Sequence, residues 1–174
     1  ENDELLLLDL GTGTGCLLLA LLSELPVATG LGVDVNADAA AVAEENARRL
    51  GLGTRADFRV GDWADGLDGP FDVIVSNPPY IASEDPHLQQ GDVRFEPSTA
   101  LVSNEQGLAD IKSIAIQSAH CLRPGGYLII EHGYNQSQQV KEILNNNDFI
   151  KLGSKAKSDF KMLIISLILF GFSL

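Results

Sequence analysis

Asn77-Pro78-Pro79-Tyr80 follows directly on the apolar run Phe71-Asp72-Val73-Ile74-Val75-Ser76, which puts a rigid, amide-bearing loop where a buried strand ends. Each proline fixes its own φ and biases the residue before it away from the helical region, so the chain leaves the strand extended. The Asn77 side chain, held in this way, offers one acceptor and two donors, a pattern that meets the edge of another planar amide or of an aminopurine. Tyr80 adds a flat face able to cover such a group. On their own, the four residues also fit a Pro-rich turn after a strand.

A second constellation opens the chain. Leu5 to Leu8 lead into Asp9-Leu10-Gly11-Thr12-Gly13-Thr14-Gly15, and Cys16 to Leu22 read as a helix. Strand, glycine turn and helix in that order bring a backbone free of Cβ atoms, and the unpaired N–H groups of a helix start, up to a ligand. A dinucleotide fingerprint requires Gly-x-Gly-x-x-Gly. Gly11 and Gly13 fit it, but Cys16 stands in the third place, which counts against a nicotinamide dehydrogenase. An acidic residue about 20 positions further on is expected at ribose hydroxyls, and Asp34, ending the run Leu31-Gly32-Val33, fills that role. Asp62 follows the next strand, Ala56 to Val60, with the aromatic plane of Trp63 beside it. Asp9, Asp34, Asp62 and Asn77 thus stand at four successive strand ends, and open α/β sheets bind their ligands outside the carboxyl ends of strands. Taken singly, each acid fits a loop residue or helix cap as well.

These motifs in this order resemble a class I S-adenosylmethionine-dependent methyltransferase. The runs Arg94-Phe95-Glu96-Pro97 to Ala100-Leu101, Leu122-Arg123-Pro124-Gly125-Gly126 and Glu131-His132-Gly133-Tyr134 narrow the resemblance. Residues 5–153 are similar to the HemK/PrmC family, the protein-(glutamine-N5) methyltransferases of the Gly-Gly-Gln loop of peptide-chain release factors. The resemblance implies a Rossmann-like α/β fold with a mostly parallel seven-stranded sheet, helices on both faces and an antiparallel last strand. It implies S-adenosylmethionine as cofactor and S-adenosylhomocysteine as product. The Gly11, Gly13 and Gly15 backbone would border the methionine part, Asp34 would bind the ribose hydroxyls and Asp62 with Trp63 would flank the adenine, with Asp9, Thr12, Val35 and Asn77 also at the cofactor. Asn77, Pro78, Pro79 and Tyr80 would be the catalytic set. The Asn77 side-chain oxygen and the Pro78 carbonyl would accept the two N–H bonds of the substrate amide under Tyr80, with Phe95 and Glu96 also on the substrate. The family's helical N-terminal docking domain is expected to be absent, so that residues 1–174 form one catalytic domain with an atypical tail over 154–174.

The positioning elements read as alternating strand and helix, hence a largely parallel sheet covered on both faces. A helix capped by Asn36 or Asp38 buries Ala40, Ala43, Ala47 and Leu50, pairs Glu44 with Arg48 and Glu45 with Arg49 on its wet side, and stops at Gly51. Leu108, Ile111, Ala115, Ala119 and Leu122 form a later stripe, ended by Pro124-Gly125-Gly126, and Tyr127 to Ile130 the next strand, with Glu131 at its end either reaching the site or structural. Residues 81–104 lack periodicity and read as a substrate-facing lid. Met162 to Phe170 is apolar but too short for a membrane helix, which needs about 20 residues, and predicts one or two late strands, an aggregation hazard if unpaired.

Composition limits the alternatives. With 12 basic against 24 acidic residues, net charge −12, the chain is poorly supplied to neutralise phosphates, which disfavours an amino-methyltransferase on adenine or cytosine of nucleic acid and favours a protein or small-molecule substrate; the resemblance implies a release factor, with a ribosomal-protein glutamine as the alternative. A non-catalytic cofactor-binding fragment is the remaining class. His87, His120, His132, Cys16 and Cys121 show no metal-ligand spacing, so no metal site is expected, and both cysteines are expected to be buried thiols. The chain opens Glu1-Asn2-Asp3-Glu4, with no basic and apolar leader, which predicts a cytoplasmic, membrane-free setting.

Overall fold

Aliphatic runs separated by amphipathic segments fold into a single main sheet flanked by helices. The structure, a computed structural model, describes residues 4–79, 81–82, 102–103, 107–133, 135–151 and 160–166. In chain order the elements are β1 (Leu6–Leu10), α1 (Cys16–Glu24), β2 (Thr29–Asp34), α2 (Ala37–Arg49), β3 (Ala56–Val60), β4 (Phe71–Ser76), β5 (Ile81–Ala82), β6 (Val102–Ser103), α3 (Ala109–Cys121), β7 (Leu122–His132), α4 (Ser137–Asn145), β8 (Phe149–Lys151) and β9 (Phe160–Ser166). The seven-stranded sheet has the order β3-β2-β1-β4-β7-β9-β8. The chain steps outward from β1 to β3, then returns across β1 to β4, so the order reverses between β1 and β4.

Alternation along each strand divides the core. Leu7 packs with Leu18, Leu19, Leu22 and Ala47, under α1 and α2. Leu8, Leu10, Ile74, Leu128 and Ile130 point the other way and meet Ile111, Ile114, Val140 and Leu144 of α3 and α4. Helices therefore cover both faces, as a parallel sheet requires. The side chain of Asn36 caps α2 by accepting from the Asp38 N–H at 2.9 Å.

Four expectations need correction. Leu50 is 61% exposed, because α2 ends at Arg49 and Gly51 turns the chain at φ +72°. Glu45 takes both Arg48 and Arg49, so Arg48 pairs with it at i, i+3 rather than with Glu44. Pro124-Gly125-Gly126 does not separate helix from strand. β7 begins at Leu122 and runs through them, and the ladder to β4 jumps from Phe71↔Leu122 to Val73↔Tyr127, which accommodates a proline that cannot donate to it. The last strand is parallel, not antiparallel. β9 lies between β7 and β8, in register Tyr127↔Lys161 to His132↔Ser166 and Phe149↔Phe160 to Lys151↔Met162. An apolar run can pair in either direction, and connection and register, which no residue type states, decide between them. Late strands are present, as the tail predicted.

β5 and β6 pair in parallel, Ile81↔Val102 and Ala82↔Ser103, joining the two ends of the proposed lid. Residues 83–101 and 104–106 lie outside the described residues.

One close approach shapes the sheet beneath the glycine turn. A Cβ at Gly32 of β2 would stand 2.6 Å from Phe58 Cδ1 and 2.8 Å from Thr12 Oγ1. Gly32→Ala is expected to destabilise the fold by about 1–3 kcal/mol through overpacking, read as a lower urea midpoint at unchanged m-value. An unchanged midpoint would mean that the contact relaxes freely.

Candidate functional site

The order reversal between β1 and β4 opens a crevice where the two connections leave in opposite directions, the usual ligand position of an open α/β sheet. The glycine turn leaves β1 on one side of it and the Asn77 loop leaves β4 on the other. Leu10 and Ser76 are cross-strand partners, and the buried Ser76 hydroxyl donates to the Leu10 carbonyl at 2.8 Å. The two connections are therefore anchored to one another at the strand ends. Asn77 is exposed, Pro78 buried and Pro79 half-buried. Tyr80, Phe95 and Glu96 lie outside the described residues.

The glycine turn is fixed from three directions. The Gly11 and Thr12 N–H groups both donate to the Val33 carbonyl, at 2.9 and 3.0 Å. Gly13, at φ +55°, donates its N–H to Asp34 Oδ2 at 2.8 Å. From below, the Thr12 hydroxyl donates to Asp9 Oδ2 at 2.7 Å. Asp9 is 1% exposed and Thr12 6%, so both support the turn from inside rather than facing the crevice. A Cβ at Gly13 would meet nothing within 4 Å, so the space beside Gly13 is open.

Asp34 has two duties at the strand end. Beyond Gly13, its Oδ1 accepts the Asn36 N–H at 2.9 Å, tying the turn to the start of α2. Val35 beside it is 77% exposed. The Gly61 N–H donates to the Asp34 carbonyl at 3.0 Å, which brings the Asp62-Trp63 loop to the same edge. The Trp63 ring closes over the turn, with Cζ3 3.1 Å from where a Gly11 Cβ would sit. Trp63 itself is held at φ +52°, a left-handed conformation that costs a bulky residue about 1–3 kcal/mol. The Ala64 N–H donates to Gln117 Oε1 of α3 at 2.7 Å. The four strand ends that the sequence predicted are thus brought together. Ser76 and Gln117 were missed, since both act on groups more than 50 residues away and carry no local signal. Cys16 is exposed at the start of α1, against expectation, because position 16 faces away from the stripe of Leu18, Leu19 and Leu22. Cys121 is buried.

Burial pushes the Asp9 carboxyl up to about 6, against the lowering effect of the Thr12 hydroxyl bond and with a small further rise from Asp34. Among the described residues, no group of three or more His, Cys, Asp or Glu is arranged to hold a metal ion, and no helix is long and apolar enough to cross a membrane.

A parallel sheet with a glycine turn and an amide loop at its switch point defines the class, and comparison with known proteins agrees. The chain belongs to the methyltransferase domain family, whose profile matches residues 1–166. Among curated relatives it is 54% identical over 142 residues to the release factor glutamine methyltransferase of Vibrio cholerae, covering 80% of this chain and 49% of that protein. It is 50% identical over 137 residues to that of Escherichia coli, covering 78% and 49%. The chain spans about half the length of these relatives. Solved structures share the fold at low identity. A ribosomal protein L11 methylase from Lactobacillus delbrueckii superposes with TM-score 0.60 at 23% identity, covering 84% of this chain and 61% of that one. A methyltransferase from Pyrococcus furiosus gives 0.62 at 17% identity, covering 84% and 65%.

The raised Asp9 carboxyl predicts a pH signature. The folded state holds this proton more tightly than the unfolded chain, so the contribution is fully favourable below pH 4 and is lost as pH rises through about 6. Asp9→Asn keeps an acceptor for Thr12 without the buried charge. Its stability relative to the natural chain should rise by about 2.5 kcal/mol between pH 4 and 7, measured as the difference of two urea-unfolding series. A flat difference would contradict the burial argument.

Proposed function

We propose that this chain is the catalytic part of a cytoplasmic protein-(glutamine-N5) methyltransferase, which transfers a methyl group from S-adenosylmethionine to the side-chain amide nitrogen of the glutamine in the Gly-Gly-Gln loop of peptide-chain release factors. The observation that carries this reading is the Leu10–Ser76 junction, which sets a glycine turn suited to the cofactor beside an exposed asparagine suited to a planar amide. Relatives named release factor glutamine methyltransferases support the choice of substrate.

The residues fit the cofactor. The space over Gly13 is open, with the Gly11, Gly13 and Gly15 backbone bordering the methionine part. Each Asp34 oxygen already accepts one N–H and keeps a second lone pair for a ribose hydroxyl, with the exposed Val35 alongside. Asp62 and Trp63 flank the adenine. Asp9 and Thr12 act through the turn they support. The Asp34 and Asp62 carboxylates at the strand ends complement a ligand that carries sulfonium and ammonium charges.

Adenosylmethionine, when bound, would supply an electrophilic methyl on a sulfonium; its transfer would break the S–CH3 bond, leave neutral S-adenosylhomocysteine, release one amide proton to solvent and form the N–CH3 bond on the amide nitrogen. That nitrogen is a poor nucleophile because its lone pair is delocalised into the carbonyl, so the protein's task is to hold it and to meet the charge that develops on it. The Asn77 side-chain oxygen accepts one N–H and the Pro78 carbonyl the other, with Tyr80 over the amide plane and Phe95 and Glu96 contacting the surrounding loop. No histidine base is needed before transfer. The buried Pro78 and the Ser76 anchor keep these acceptors still.

The direct test is mass spectrometry of the Gly-Gly-Gln peptide after incubating the protein with adenosylmethionine and a release factor. One added methylene, located on glutamine, is expected, whereas methylation of a base amino group in supplied nucleic acid with an unmodified peptide would overturn the reading. Asn77→Ala should lower kcat by about 10²–10³-fold at unchanged cofactor Kd, and a parallel loss of both would remove Asn77 from the substrate side. Asp34→Ala should weaken adenosylmethionine binding by about 1.5–3 kcal/mol in calorimetric titration, and unchanged affinity would refute its role.

A further inference from the structure

We infer that Gln117, on the far helix α3, is a positioning residue for the cofactor wall formed by Trp63, an inference that rests on Trp63 flanking the adenine as proposed above.

A tryptophan backbone in the left-handed region persists only where its surroundings over-determine it. Among the described residues, the loop that carries Trp63 has few such determinants. Gly61 is tied to β2 through the Asp34 carbonyl, while the bonds from Asp65 to Asp62 and from Leu67 to Ala64 lie within the loop itself. Past Trp63, the bond from the Ala64 N–H to Gln117 Oε1, at 2.7 Å, ties the loop to another element. Ala64 is 5% exposed and belongs to the same core cluster as Ile111 and Ile114, against which Trp63 also packs. The Ala64 N–H is therefore largely shielded from water, and the Gln117 oxygen accepts its bond. Trp63 is thus gripped on both sides, at Gly61 by β2 and at Ala64 by α3, and its ring is laid over Gly11.

Gln117 is suited to this by its place on the helix. It lies three residues after Ile114 and four before Cys121, at the margin of the buried stripe, where a side chain can reach sideways to the loop. Leu at this position keeps the helix and the volume but leaves a buried donor unmet. Glu keeps the acceptor oxygen on the same stem. The geometry therefore separates the hydrogen bond from the packing.

The chain contains one tryptophan, so its fluorescence reports on Trp63 alone. The experiment measures adenosylhomocysteine Kd by calorimetry, together with Trp63 emission and its quenching by acrylamide, at pH 7.5 in the natural chain, Gln117→Leu, Gln117→Glu and Ile116→Gly. Gln117→Leu is expected to weaken binding about tenfold, shift emission to the red and raise quenching before ligand is added. Gln117→Glu should restore all three readings. Ile116→Gly, at an exposed position of the same helix where glycine lowers helix propensity, should leave Kd and emission in place, which a general loss of stability in α3 would not. Unchanged Kd and emission in Gln117→Leu, or failure of Gln117→Glu to restore them, would overturn the inference. If calorimetry detects binding to the natural chain while Trp63 emission does not respond, the adenine-flanking role of Trp63 is itself refuted, and the inference falls with it.

Discussion

Thr12 donates to the buried Asp9 carboxylate, and that bond exists because Gly32 on the neighbouring strand has no side chain to occupy the same space. The glycines of the turn contribute no side-chain packing, so its shape is imposed by what it bonds to, Val33 through two N–H groups, Asp34 through Gly13, Asp9 through Thr12 and Asn46 of α2 through the Thr14 carbonyl. Holding a carboxylate away from water is costly, and its raised pKa is the measure of that cost. The arrangement therefore exchanges some stability for a rigid rim at the place where a ligand must be gripped.

The rest of the site follows from parallel register. Because β1, β2, β3 and β4 run the same way, their carboxyl ends lie along one edge, and four short segments far apart in sequence reach one crevice. Backbone bonds and a single hydroxyl set their spacing, from Gly61 to Asp34, from Gly11 to Val33 and from Ser76 to Leu10. Charge is distributed unevenly along that edge. The acids belong to the turn and to the ends of β2 and β3, while the end of β4 presents a neutral amide between a buried serine and a buried proline. This division suits a cationic small molecule on one side of the switch point and a neutral planar group on the other.

Much of this was legible beforehand. Asp9, Asp34 and Asn77 are legible because each stands at the end of a largely apolar run that reads as a buried strand, and Asp62 because it follows the strand Ala56–Val60. The Ala40, Ala43 and Ala47 stripe and the Asn36 cap were readable for the same reason, as local period and local hydrogen bonding decide them. Leu50 was misplaced because periodicity continues past the point where Gly51 ends the helix. The start of β7 was misplaced because Pro124 and the glycines read as a break, whereas a slip in the ladder admits them.

The strand and helix order, the glycine turn and the identity of the residues at the carboxyl edge can be read from the chain alone, because these depend on side-chain polarity and on φ preferences within a few residues. Packing settles the rest: that Asp9 lies under the turn and not in the crevice, that Asp34 serves Gly13 as well as α2, that Gln117 reaches Ala64, and that β9 runs parallel. Each of these is a contact or a register between segments distant in the chain. Which partner a polar atom finds there depends on how the elements pack, and no single residue type encodes that.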